Sequence, residues 1–298
     1  VAFTMMMGYY VTDLLSPLES ILTTPVAQGG RGWTADDYGF FSGSYGLINV
    51  FLWMLFFGGI ILDKLGIRFT GVLSTSLMVV GVLIKYVAVS TDFHGAVFSI
   101  GSFHLPMSAT VACLGFAIFG VGSEITGITI SKTITKWFTG HELALAMGVQ
   151  VALARLGTAA ALGLNLPLAK ATDLGLQLPV LVGAALLIAG LLGFVVYNVM
   201  DRRLDASIAA VAGESATEEA EDESFKFSDL GKIFSNPGFW LIALLCLLFY
   251  SGVFPFLKFA TKLMISNYGV GEVYAGLIPG LLPFRTIILT PLFGFVYD

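Results

Sequence analysis

The feature that most restricts this chain is the recurrence of apolar runs long enough to cross a bilayer, from its first residues to its last. About 20 apolar residues in a helix span the ~30 Å hydrocarbon layer. Water is absent there, so every backbone N–H and C=O must be satisfied within the fold, which leaves helices as the natural solution. Eight such segments are expected, at roughly 1–26, 38–62, 69–90, 108–138, 143–167, 174–200, 237–264 and 273–297. Composition agrees: 56% of residues are hydrophobic, 12% are charged and the mean hydropathy is +0.88. These values exclude an ordinary soluble domain, and the expected fold class is an all-α membrane protein.

Charge is distributed unevenly. The net charge is −5, and residues 201–232 alone carry nine acidic and four basic side chains, which accounts for all of it. The rest of the chain is balanced, so there is no basic face to suggest nucleic acid. The stretch 201–236, with ESATEEAEDES at its centre, reads as an acidic linker, disordered or with a short amphipathic piece near 225–234. It divides an expected six-segment bundle, 1–200, from the start of a second one, 237–298. The turns at 63–68 and 139–142, the linker and their flanking helix ends collect Lys64, Arg68, Lys132, Lys136, Arg202, Arg203, Lys226 and Lys232. Arg31, Lys170 and Lys262 lie on the other side. The positive-inside tendency places the first group in the cytosol. The chain begins at Val1 and ends at Asp298 directly after an apolar run, so a fragment of a longer protein is expected.

The stretch from Ser108 to Pro167 organises the functional reading. It consists of two apolar segments joined by Thr139-Gly140-His141-Glu142, with Glu124 inside the first and Arg155 inside the second. At ~1.5 Å rise per residue both charges lie roughly 20–22 Å from the turn. An antiparallel hairpin therefore sets them at similar depth near mid-bilayer, where an ionisable group costs at least ~2.5–3.5 kcal/mol and normally faces a partner or a wet cavity. They are read as two poles of a substrate site, against the alternative of a structural ion pair. Asp13, Lys258, Arg285 and Tyr250 are further candidates for its walls. The competing readings are a solvated mouth for Asp13 and Glu19, and snorkelling or pairing for Lys258 and Arg285. Tyr9 and Tyr10 are candidate cavity residues. Pro17 is expected to bend or end the first helix, and Pro255 to break the seventh. Trp33, Trp137 and Trp240 are placed at the interfaces.

Gly59-Ile60-Ile61-Leu62-Asp63 and Gly294-Phe295-Val296-Tyr297-Asp298 repeat a G-x-x-x-D pattern at equivalent places in two halves. Together with the run GGIILDKLGIR, this resembles the loop motif of the major facilitator superfamily. The resemblance implies a gating role for Gly59, Asp63, Arg68, Gly294 and Asp298, and a twelve-helix fold of which this chain holds about eight helices. The hairpin, through Gly-Ser-Glu124, Trp137-Phe138, Gly140, Glu142-Leu143 and Ala154-Arg155-Leu156-Gly157, is similar to the lysosomal dipeptide-carrier branch of that superfamily. Phe239-Trp240, Val253-Phe254-Pro255-Phe256 and Tyr9–Asp13 carry the same likeness. It implies a dipeptide cargo held at its two termini by Glu124 and Arg155, and uniport by alternating access. It also implies a lysosomal membrane location in a eukaryote (plasma membrane otherwise) and a glycosylated accessory membrane subunit in animals.

Chemistry is consistent with such a cargo. A carboxylate holds an ammonium, and a guanidinium fork matches a carboxylate in two parallel hydrogen bonds. Catalysis finds no motif: there is no His/Cys cluster, nucleophile elbow or phosphate loop, and no cofactor is expected. Cys113 and Cys246 lie in apolar segments and suggest neither disulfide nor metal. Two other functions remain open from the residues alone. One is an organic-anion or sugar-phosphate exchanger clamping its cargo with Arg155 and Arg285. The other is a non-transporting receptor or scaffold acting through residues 206–223.

Overall fold

A computed structural model describes residues 1–101, 103–140, 142–212, 231 and 233–297. The expected calls on Asp298, on His141 and on most of the acidic linker therefore lie outside the described residues. The chain runs α1 (Ala2–Asp13), a 3₁₀ turn (Ser16–Leu18), α2 (Glu19–Thr23), a second 3₁₀ turn (Val26–Gln28), α3 (Ala35–Phe51) and α4 (Met54–Ser90). A hairpin of β1 (Val97–Ile100) and β2 (Phe103–Pro106) follows. Then come α5 (Met107–Phe138), α6 (Leu143–Lys170), α7 (Gln177–Ala212), α8 (Pro237–Tyr268), α9 (Glu272–Ala275) and α10 (Leu277–Tyr297). Six of these helices, α4 to α8 and α10, are individually long and apolar enough to cross a membrane.

The other two expected passes are broken helices. Pro17 sits in the 3₁₀ turn that separates α1 from α2, as its missing donor and fixed φ predict. The second pass is interrupted at Leu52-Trp53, where Trp53 has φ 52°, and resumes as the start of α4. At 37 residues α4 would be ~55 Å long if straight, too long for one crossing. Gly66 divides it, with φ 77° and ψ 171°, a conformation that a side chain would strain. Gly58 before this point and Ser74 after it both pack on the same part of α5, at Ile125 and Gly122, so the chain reverses at Gly66. The turn expected at 63–68 is therefore present.

The loop after the third segment folds into the β1–β2 hairpin, with Val97 opposite Pro106 and Ile100 opposite Phe103. Two expectations need correction. The sixth segment does not stop at residue 200. It continues as helix through Ala212, because Asp201 and Asp205 are held by cations of neighbouring helices. Pro255 does not break α8, which runs through it unbroken.

Packing is dominated by α4 against α5, α6 against α10 and α1 against α6. The α4–α5 seam depends on reciprocal glycines. A Cβ on Gly81 would lie 2.6 Å from the Gly115 carbonyl oxygen, and one on Gly115 would lie 2.7 Å from that of Gly81. Small residues let helix backbones approach in this way, where lipid tails offer no hydrophobic drive to associate. Above the seam, Phe41 stacks on Phe116 at 4.8 Å, and Trp33 donates to the Ser108 hydroxyl at 2.9 Å. Trp33 is 2% exposed, a core residue rather than the interfacial one expected. Gly81→Val should cost about 1–3 kcal/mol by forcing the backbones apart. A lowered Tm of the purified protein in detergent is the expected outcome, with Gly59→Val, whose Cβ meets nothing within 4 Å, as the neutral comparison.

Candidate functional site

The break in the first pass leaves carbonyls at the end of α1 in need of donors, and three helices supply them. Lys85 of α4 donates to the Val11 carbonyl at 3.1 Å, Lys258 of α8 to that of Thr12 at 2.7 Å, and Asn165 of α6 to that of Leu14 at 3.2 Å. Asn165 also accepts from the Tyr10 hydroxyl, so Tyr10 serves the junction. Asp13 pairs with Lys258 at 2.9 Å, and Glu19, on α2, pairs with Lys262 at 2.8 Å. Both carboxylates are buried, which removes the solvated-mouth reading. Tyr38 completes the contact with α8, donating to the Lys258 carbonyl at 3.2 Å and meeting Phe259 edge-on at 5.5 Å.

Beside this junction lies a cavity of about 440 Å³. Phe116, Phe254, Pro255 and Phe259 form much of its apolar wall, with Glu124, Lys258, Tyr9, Tyr45 and Ser123 as polar groups. The combination of apolar walls and a few placed polar groups is typical of small-molecule sites. Glu124 accepts from the Tyr45 hydroxyl at 2.7 Å. Arg155 lies with its guanidinium carbon 5.5 Å from the centre of the Tyr9 ring. No ion pair joins Glu124 to Arg155, and among the described residues neither has a partner of opposite charge within 4 Å. Tyr9 is within electrostatic reach of Arg155, Glu124, Tyr250 and Asp13 together. The hairpin charges and the first pass thus meet around one tyrosine.

Other candidates fall elsewhere. Tyr250 is outside the cavity lining and stacks at 5.1 Å on Phe254, which is part of it. Arg285 is exposed and borders a separate groove between α8 and α10, with Phe256 and Leu282. Sequence reasoning missed Tyr45 and Phe116. Nothing in a string of aromatics tells which ring faces a carboxylate.

The second cluster lies at the opposite end of the helices. Asp63 pairs with Lys132 at 2.6 Å, and Arg68 donates to Asp201 at 2.6 Å and also pairs with Asp205. Lys136 reaches the same two carboxylates at 2.9 and 2.8 Å. Asp201 is buried and accepts further from Tyr197 at 2.9 Å and from the indole of the exposed Trp137 at 3.4 Å. Gly59 leaves open space, while Gly294 brings α10 onto α6, where a Cβ would lie 2.6 Å from the Ala144 carbonyl oxygen. Arg68 and Asp63 thus tie the reversal at Gly66 to α7 and α5.

A family model, the Major Facilitator Superfamily, matches residues 1–298. The chain belongs to the major facilitator superfamily. Curated relatives include the lysosomal dipeptide transporter MFSD1 of Danio rerio, 26% identical over 256 residues, covering 82% of this chain and 50% of that protein. Its namesakes from Bos taurus and Homo sapiens are also 26% identical over 82% of this chain, and cover 49% and 50% of their lengths. The chain thus spans about half the length of the curated relatives it matches. No solved structure matches it significantly. The chain is a multi-pass integral membrane protein, with six described helices long and apolar enough to cross a bilayer.

Two carboxylates of this second cluster should differ in weight. Asp201→Ala removes the buried acceptor shared by Arg68, Lys136 and Tyr197 and should cost about 1–3 kcal/mol, since both cations keep Asp205. Asp63→Ala breaks a pair that is more than a third exposed on both sides and should cost under about 1 kcal/mol. Thermal denaturation of the two variants in detergent checks the order.

Proposed function

We propose that this chain carries the cargo-holding part of a transporter that moves dipeptides by alternating access, as a uniporter. The observation that supports it is the state of the hairpin charges: among the described residues Glu124, in the cavity wall, has no cation within 4 Å, and Arg155, beside the cavity-lining Tyr9, has no anion. A dipeptide zwitterion supplies the missing partner to each. Its ammonium suits Glu124, oriented by Tyr45, and its carboxylate suits the Arg155 fork. The apolar cavity wall accepts varied side chains without reading them. The relatives named as lysosomal dipeptide transporters favour the same cargo. They also favour a lysosomal membrane, with a glycosylated accessory subunit as a further partner to be sought. The anion-exchanger reading is weaker, because Arg285 borders its own groove rather than the cavity with Arg155.

In this reading residues 1–200 and 237–298 belong to two bundles joined through 201–236, and the Asp63–Arg68–Asp201 cluster marks the cytosolic side. The Asp13–Lys258 and Glu19–Lys262 pairs then close the opposite mouth. The two bundles rock about the midplane site.

Thermal stabilisation of the full-length protein by a panel of unmodified dipeptides tests the assignment. Glu124→Gln and Arg155→Ala should each weaken the apparent affinity about tenfold or more, since hydrogen bonds to charged groups contribute ~1.5–3 kcal/mol. Arg155→Lys should restore little, because a point charge does not reproduce the fork. N-acetylated dipeptides should lose binding to the parent protein while Glu124→Gln discriminates less between the two forms. Shifts unchanged in both variants would sink the site assignment.

A further inference from the structure

Lys85 is 1% exposed and has no carboxylate within ion-pair distance among the described residues. Among the described residues its ammonium donates only to the Val11 carbonyl, and it lies 4.5 and 4.7 Å from the ring centres of Phe116 and Phe119. An ammonium has three donors, so two are unused in a place that water does not reach. Two aromatic faces offset part of the burial cost, but a methionine would fill the same space without incurring it.

Asp13 lies two residues along α1 from the Val11 carbonyl that Lys85 holds, and Lys258 shares the Phe116 ring with Lys85. Phe116 lies under both ammoniums, with Lys258 5.5 Å from its centre. One buried carboxylate therefore lies near one buried cation, Lys85, and one partly buried cation, Lys258, and in this structure Lys258 holds it. The two lysines differ in what they belong to. Lys85 is on α4, packed within the same bundle as Asp13, and its acceptor Val11 is two residues from Asp13 on the same helix. Lys258 is on α8, across the junction that alternating access must open.

We propose that Asp13 exchanges cations during the cycle: Lys258 holds it while the mouth between α1 and α8 is closed, and Lys85 takes it over when α8 withdraws. A buried carboxylate left alone by α8 would strongly oppose opening. Lys85 removes that opposition with a short movement along α1, using donors that are idle in the closed form. Lys85 is then a positioning residue that sets the balance of states and makes no contact with cargo. The inference rests on the bundles moving apart and not on the identity of the cargo.

The test reads that balance with no substrate present. The full-length protein, with Cys113 and Cys246 replaced by Ser and cavity-lining Ser42 by Cys, is reconstituted into vesicles. A membrane-impermeant maleimide is added on the side of the Asp13–Lys258 mouth, and the labelling rate is measured. Lys258→Met should raise the rate threefold or more, and Lys85→Met should lower it by a similar factor. Lys85→Gln keeps a donor for Val11 but no charge and should behave like Lys85→Met. In an Asp13→Asn background, Lys85→Met should change the rate by less than 1.5-fold. An unchanged rate in Lys85→Met, or the same decrease with and without Asp13, would assign Lys85 to structure and overturn the proposal. Failure of both neutral variants to give monodisperse protein would do so too, since Lys85 would then be needed in the closed form itself.

Discussion

The structure depends on how one broken helix is satisfied inside an apolar bundle. The first pass stops at Asp13, and the carbonyls it releases have no water to turn to. Lys85, Lys258 and Asn165 converge on them from α4, α8 and α6. Each donor thereby fixes a different helix against α1. The cavity lies between α1, α3, α5 and α8, which supply its lining.

Charge is used differently at the two ends of the bundle. At the Gly66 reversal, four cationic or neutral donors surround the buried Asp201, and the pairs with Asp205 extend outward to solvent. That cluster is saturated and acts as a clasp. At the Asp13 junction cations outnumber the local carboxylate, and one of them is left with two rings and a carbonyl. Between the two lie Glu124 and Arg155, which are answered by tyrosines rather than by each other. A saturated cluster holds one arrangement, whereas an imbalanced one has a reason to change partners.

Much of the architecture was legible in the sequence. The eight apolar runs, the reversal at 63–68, the proline break in the first pass and the hairpin of Glu124 and Arg155 all follow from local composition. Helix ends and apolar lengths are set by nearest neighbours, so a short window carries them. The miss at residue 200 has the opposite cause. Asp201 and Asp205 look like the start of a solvated linker, but Arg68 and Lys136, which hold them, are more than sixty residues away in the chain. Trp33 was misplaced for the same reason: its hydrogen-bond partner, Ser108, is remote.

By itself the sequence determined that the chain is a bundle of membrane-crossing helices and that two opposite charges lie inside consecutive ones, because hydrophobic length is a local quantity. Only the tertiary structure decided that those charges remain apart, that Lys258 closes on Asp13, and that Lys85 is buried without a carboxylate. Partner choice among buried ions depends on which side chains several helices bring within ~4 Å of one another, and no stretch of a single chain records that distance.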